Sequence, residues 1–210
     1  MLRGQRDGCG VSAVVFDLGG VLIDWDPRHL YRSLFDGDEA AMERFLSEVC
    51  TMDWNEEQDA GRPFAEGVAL LSREHPHLAE LIEAYDREWP RMLRGAIDDS
   101  LAIAFDLHVA GVPLYALSNW SAEKYPIAEE RFPFLSWFDG IVISGRVGMR
   151  KPDPRIFAHL AARFDLVPAE TLFIDDSERN VEAARRAGYR AVRFVSAGQL
   201  RGELERVGLR

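Results

Sequence analysis

Cysteine is scarce in this chain: its 210 residues contain two, Cys9 and Cys50, with no CxxC pair and no cluster of the five histidines. Neither a disulfide framework nor a structural zinc site is expected, and two unpaired thiols fit a reducing cytoplasm. Long apolar runs are missing too. No stretch reaches the 18 or so residues that a membrane span needs, so no membrane association is expected. The polar, Gly-rich segment Met1–Gly10 lacks the apolar stretch of a signal peptide and reads as a loose leader. Positive charge is in short supply, with 25 Lys and Arg against 35 Asp and Glu and a net charge of −10. Nucleic-acid binding depends on a cationic footprint, and none is visible. Arg185, Arg186, Arg190 and Arg193 read as a solvated face. Such a chain can still hold an anion locally, through a helix N-terminus or a metal ion. No internal repeat or low-complexity segment occurs.

What is present is ordinary globular material, 47% hydrophobic and 29% charged with both signs mixed. Short apolar, β-branched runs predict strands at Val11–Asp17, Val112–Leu117, Gly140–Ser144, Thr171–Ile174 and Arg190–Val195. Helical spacing fills the intervals at Ser100–Ala110, Ser121–Arg131 (which Pro126 shortens or kinks), Asp153–Phe164 and Ser177–Ala187. Pro154 suits a first helical position, Ser177 an N-cap and Gly188 a C′ glycine. Strands alternating with helices predict a parallel sheet covered on both faces, with ligands bound beyond the carboxyl ends of its strands. Residues 25–93 interrupt this alternation. Pro27–Phe35, Glu39–Met52, Pro63–Glu74 and Leu78–Glu88 all fit helices, and no convincing strand appears among them. The insertion leaves immediately after the strand that carries Asp17, which suits a lid over a site at that sheet end.

The strand ends carry the chemistry. Asp17 closes VVFDLGG, Ser118 and Asn119 close LYALSN, Lys151 lies in GMRKPDP, and Asp175 and Asp176 close LFIDDS. A carboxylate at the end of a buried strand needs its charge stabilised, and can serve as a nucleophile. Gly19 and Gly20 let the backbone turn sharply and approach a ligand. The adjacent Asp175 and Asp176 repel one another, and a hard cation such as Mg²⁺ relieves that repulsion. Ser118 and Asn119 offer donors to an anionic oxygen, and Lys151 can neutralise a transferring group. Pro152 and Pro154 stiffen the backbone around Lys151, and Asp153 suits the cap of the helix that follows.

In that order the motifs resemble the haloacid-dehalogenase superfamily, in the branch with a helical cap inserted after the first motif, over about residues 11–195. The chain is similar to sugar-phosphate phosphatases with an Asp-Leu-Gly first motif. The resemblance implies an α/β fold: a three-layer Rossmann-like parallel sheet, residues 11–24 and 94–210, with an all-helical cap domain, residues 25–93. It implies a nucleophile at Asp17, substrate contacts from Ser118, Asn119, Lys151 and Gly20, and Mg²⁺ held by Asp17, the Gly19 carbonyl, Asp176 and Asp175. The expected partner is a small phosphorylated metabolite, with sugar 1-phosphates among the candidates, and the expected state a monomer or homodimer.

One position departs from the pattern. Phosphatases of this family usually carry a second aspartate two residues after the nucleophile, which protonates the leaving oxygen; here that position is Gly19. Three explanations stand open. Asp24 or Asp26 substitutes, although either would also cap the helix near Pro27. The leaving group needs no proton. Or the reaction displaces halide, as in the family's dehalogenases, which however do not keep the paired acids. A catalytically weak binding or scaffold protein is the reading of another class. Trp25, Trp54, Trp89, Arg62 and His75 are the candidates from the insertion for setting substrate choice.

Overall fold

A computed structural model describes residues 10–209; the leader, save Gly10, and Cys9 lie outside the described residues. Five strands form one sheet: β1 (Ala13–Phe16), β4 (Leu114–Ser118), β5 (Gly140–Ile143), β6 (Thr171–Asp175) and β7 (Arg190–Arg193). Their spatial order is β5-β4-β1-β6-β7 and all neighbours run parallel. This is the expected Rossmann-like α/β sheet.

Strand periodicity divides the core into two layers. Val14 and Phe16 face one side of the sheet with Leu172 and Ile174, and pack against α6 (Asp98–Val109) and α11 (Ala197–Arg206). Val15 and Phe173 face the other side and pack with Ile156, Phe157 and Leu160 of α9 (Pro154–Phe164) and with Ala183 and Ala184 of α10 (Glu178–Arg186). Val14, Val15 and Phe16 have no exposed surface, and burying each such side chain contributes roughly 1.5–3 kcal/mol. Because β1, β4 and β6 are parallel and adjacent, Asp17, Ser118 and Asp175 arrive at the same edge.

Between β1 and β4 the chain carries the expected helical insertion, with two short flanking strands that were not anticipated. A tight turn follows Asp17, in which Leu22 and Ile23 donate to the Leu18 carbonyl and Gly20 adopts φ 71°. Two short strands, β2 (Ile23–Trp25) and β3 (Leu93–Ala96), then pair antiparallel and zip together the chain's exit and return. Helices α1 (Arg28–Leu34), α2 (Glu39–Glu48), α3 (Met52–Asp59), α4 (Phe64–Glu74) and α5 (Ala79–Arg87) lie between them. The single helix expected over Glu39–Met52 is two: the side chain of Thr51 accepts from Trp54 N–H and starts α3 afresh. Aromatic packing centres the insertion, with Tyr31 against Phe45 and Trp54 against Tyr85, each pair 5.0 Å between ring centroids. Its buried residues belong to the same apolar cluster as one face of the sheet.

Elsewhere differences are local. α7 (Tyr125–Arg131) starts later than predicted, with Pro126 in its first turn. α8 (Ser144–Val147) is a single turn closing β5. Asp153 caps α9 through Arg155 N–H. Ser177 sits at the N-cap of α10 but makes no side-chain cap; its N–H donates to Asp175 Oδ1 instead. Among the described residues no helix is long and apolar enough to cross a membrane.

Candidate active site

The sheet edge gathers the predicted residues around Asp17. Leu18 N–H and Ser118 Oγ–H both donate to Asp17 Oδ1, each at 2.7 Å. Lys151 Nζ lies 2.8 Å from Asp17 Oδ2 and 2.6 Å from Asp175 Oδ2, with its side chain fully buried. One ammonium therefore bridges two carboxylates. Burial alone would push it towards the neutral form, but Asp17 and Asp175 outweigh that and raise its pKa. Asp175 is itself fully buried and also accepts from Asn180 Nδ2 at 3.0 Å.

Asn119 sits at the cavity but is occupied differently from the expectation. Its Oδ1 accepts Lys151 N–H at 2.8 Å and its Nδ2 donates to the Lys151 carbonyl at 2.9 Å. The planar amide thus clamps the lysine's main chain, leaving Ser118 and Lys151 to face the acid cluster.

Asp17, Asp175 and Asp176 each present an oxygen within 4.8 Å of the others. Lys151 does not neutralise this group. Burial pushes the Asp17 carboxyl up to about 7 against the pull of Lys151, and Asp175 and Asp176 push in the same direction. Asp176, the exposed member, is also raised, first by burial and then by Asp175. Two further observations fit a cation. Among the described residues, buried Asn180 Oδ1 has no donor. A Cβ at Gly20 would overlap the Asp176 carboxylate, so the left-handed turn brings backbone against that acid. These oxygens are the hard donor set that Mg²⁺ prefers.

Above the cluster opens a cavity of about 420 Å³. Its floor includes Asp17, Gly19, Gly20, Ser118, Asn119 and Asp176, and its walls include Trp25, Trp89, Trp120 and Met52. Of the insertion residues expected to set specificity, Trp25 and Trp89 reach it. Trp54 packs in the helical core, and Arg62 is bound to Gln58 and the Trp54 carbonyl. His75 terminates α4, beside His77. Sequence reasoning missed Asn55, Glu56 and Asp59, which line the wall from α3. The acid-rich stretch MDWNEEQD was their one signal.

A family model for haloacid dehalogenase-like hydrolases matches residues 11–188. The chain is a haloacid dehalogenase-like hydrolase. A sesquiterpene phosphatase from Aspergillus oryzae is 28% identical over 184 residues, covering 84% of this hydrolase and 86% of its own chain. A D-ribitol-5-phosphate phosphatase from Bacteroides thetaiotaomicron is 23% identical, over 92% of this hydrolase and 97% of its own chain. The crystal structure of a family enzyme from Bacteroides thetaiotaomicron, in complex with magnesium and inorganic phosphate, aligns with TM-score 0.68 at 26% identity. That alignment covers 90% of this hydrolase and 96% of the other chain.

Proposed function

We propose that this hydrolase is a Mg²⁺-dependent phosphatase, acting on a small phosphate monoester through an aspartyl-phosphate on Asp17. The observation that carries the reading is the placement of Asp17 between a buried lysine and a hydroxyl, within an acidic cluster on a cavity floor. Its relatives named as phosphatases support the same reading.

Asp17, Asp176, Asp175 and the Gly19 carbonyl would hold the ion, which when bound neutralises the acids and the charge of the phosphoryl group. The chain's own residues do the rest. Ser118 Oγ–H and Leu18 N–H fix the orientation of the Asp17 carboxylate, so that attack on phosphorus starts from one geometry. Lys151 lowers the proton affinity of Asp17 and supplies positive charge where phosphoryl oxygens gather. Asn119 holds Lys151 in place through its main chain. The P–O ester bond breaks as Asp17 binds phosphorus, and water then hydrolyses the acyl phosphate. The helices between residues 25 and 93 serve as the cap. Trp25 and Trp89 at the ends of this segment, with Met52, give the substrate's carbon skeleton an apolar wall, compatible with a sugar 1-phosphate or another compact ester. Neither a nucleic acid nor a membrane is needed as partner.

The test is release of phosphate and of halide across a panel of phosphate esters and 2-haloacids, with Mg²⁺ or EDTA, for wild type and Asp17→Asn. The expected result is Mg²⁺-dependent phosphate release that Asp17→Asn abolishes. Metal-independent halide release would sink the reading in favour of a dehalogenase. Ligand binding without turnover of either class would point to a binding protein.

A further inference from the structure

An alkoxide leaving group needs a proton, and the position that normally supplies it is Gly19. A Cβ at Gly19 would meet nothing within 4 Å, so no other side chain fills that space. Three further carboxyls line the cavity: Asp26, Glu56 and Asp59. Asp24 does not line it, and its Oδ1 accepts from His29 Nε2 at 2.8 Å. Asp26 Oδ1 accepts Arg28 N–H at 2.8 Å and also pairs with that guanidinium, so it is committed to the start of α1. Glu56 is committed to Arg150 and, at 2.6 Å, to Arg179.

Asp59 is different. It forms no ion pair among the described residues. Its Oδ2 accepts Asn55 Nδ2–H at 3.0 Å, and Asn55 Oδ1 in turn accepts the Tyr85 hydroxyl at 3.1 Å. This chain of neutral groups orients the carboxyl without claiming its charge. The main chain of Asp59 is fastened to the sheet, because its carbonyl accepts Ser144 Oγ–H at 2.6 Å. That same Oγ accepts Trp120 N–H, two residues beyond Ser118. α3 therefore cannot shift relative to the β4 end without breaking this joint.

We propose that Asp59 is the proton donor and acceptor of this hydrolase, replacing from the inserted helix the carboxyl that position 19 lacks. The inference rests on the aspartyl-phosphate reading. In the first half-reaction Asp17 bonds to phosphorus and the P–O ester bond breaks. Its electron pair stays on the ester oxygen, which takes the Asp59 proton and leaves as an alcohol. In the second, the Asp59 carboxylate takes a proton from water. The resulting hydroxide oxygen bonds to phosphorus, the bond to Asp17 breaks, and phosphate departs. Asp59 ends protonated, as it began.

The electrostatics suit both directions of transfer. Burial raises Asp59 to about 7 against the stabilising Ser121 amide. The charges facing it are Glu56 of its own helix, Arg150 beside Lys151, and Asp17 across the cavity. Tyr85 of α5 donates to Asn55 and feels the Asp59 charge directly, burial and that charge together holding its hydroxyl protonated, α8 presents the neutral Ser144, and Arg62 is turned to Gln58. A group that is neither fully acid nor fully base near neutrality is well matched to donating and then accepting a proton.

The experiment compares two esters of similar size, p-nitrophenyl phosphate, whose leaving group needs no proton, and benzyl phosphate, whose leaving group does. In Mg²⁺, Asp59→Asn should lower kcat for benzyl phosphate by ~10²–10⁴-fold at little changed KM, and for p-nitrophenyl phosphate by less than about tenfold. Adding Gly19→Asp to that variant should restore benzyl ester turnover. Equal losses on both esters, or no loss on either, would overturn the inference. A second measurement needs no variant. In wild type the ratio of p-nitrophenyl to benzyl turnover should rise at least tenfold from about pH 6 to about pH 9, as Asp59 loses its proton. Changes at Asp17 cancel in that ratio, so a flat ratio also overturns the proposal. Absence of Mg²⁺-dependent hydrolysis of either ester would overturn the phosphatase reading and this one with it. A leaving-group-independent effect of Asp59→Asn overturns this one alone.

Discussion

The acid cluster should make the metal-free protein less stable as pH rises, and Mg²⁺ should reverse the loss. Asp17 is held at about 7 in the folded state against an ordinary 3.8, first by burial and then by Asp175 and Asp176, with Lys151 opposing. The folded state therefore binds this proton more tightly than the unfolded chain. Stability is lost as pH rises above 3.8, and the loss is complete above about 7. At ~1.4 kcal/mol per tenfold in proton affinity, the ceiling is roughly 4 kcal/mol, shared with the Lys151 pairing. Glu43, Glu88 and Asp153, lowered by hydrogen bonds from Arg28, Arg91 and Arg155, act with the opposite sign and at lower pH. Comparing wild type with Asp17→Asn isolates the carboxyl. Thermal melts in EDTA should show Asp17→Asn more stable than wild type at about pH 8, by a margin that shrinks by more than half at about pH 5. A ligand at a hundred times its Kd adds ~2.7 kcal/mol. For a chain of this size that is an upward shift of about 5–10 °C in Tm, larger at pH 8 because protons compete with the ion. Asp176→Asn should remove most of it. A wild-type Tm that ignores Mg²⁺ at pH 8, or an undiminished shift in Asp176→Asn, would refute the reasoning.

Two further substitutions probe neighbouring features. Gly20→Ala places a side chain at φ 71° against the Asp176 carboxylate; the strain is about 1–2 kcal/mol. The Mg²⁺ concentration for half-maximal activity should rise at least ~10-fold as Asp176 is displaced, and an unchanged Mg²⁺ titration would count against the metal assignment. Glu56→Gln removes the two ion pairs that join α3 to Arg150 and Arg179. At ~0.2–1 kcal/mol per partly exposed pair, Tm should fall by about 1–8 °C at low salt and by less in high salt, whereas a salt-independent Tm change would show that the pairs do not couple the two parts.

The sheet was legible because its strands are buried on both faces. VVF and LFI are apolar without alternation and end in aspartate, which locates both the strands and the residues at their tips. β2 and β3 were not legible. IDW and LRGA are short and mixed in polarity, and they become strands only because the two ends of the insertion meet. The break between α2 and α3 was hidden by helical spacing that runs on through Val49 and Cys50, while the Thr51 cap restarts the register. Asn119 was correctly placed at the sheet edge, but its role depends on where the main chain of residue 151 passes, which no spacing encodes. Asp59 is one of four acids on an eight-residue helix. Its sequence neighbours do not distinguish it; Asn55, Tyr85 and Ser144 do, and all three contacts arise from folding.

Moving the proton donor from the strand end to the insertion changes what the insertion has to do. A carboxyl at position 19 would share the backbone of the nucleophile and be ready whatever the helices did. On the proposed assignment the reacting groups come from two parts of the chain, Asp17 from β1 and Asp59 from α3. Protonation of the leaving oxygen then requires α3 to be seated, through the Ser144 hydroxyl and the Glu56 ion pairs. An unseated insertion would leave Asp17 able to attack only esters with good leaving groups. Phosphoryl transfer to solvent from a costly alkyl ester would be confined to the cavity with α3 in place, where the wall of Trp25, Trp89 and Trp120 has already selected the substrate. Specificity and proton transfer would thus depend on the same contact, which explains how an open space at Gly19 is compatible with a complete set of acids and a buried lysine around Asp17.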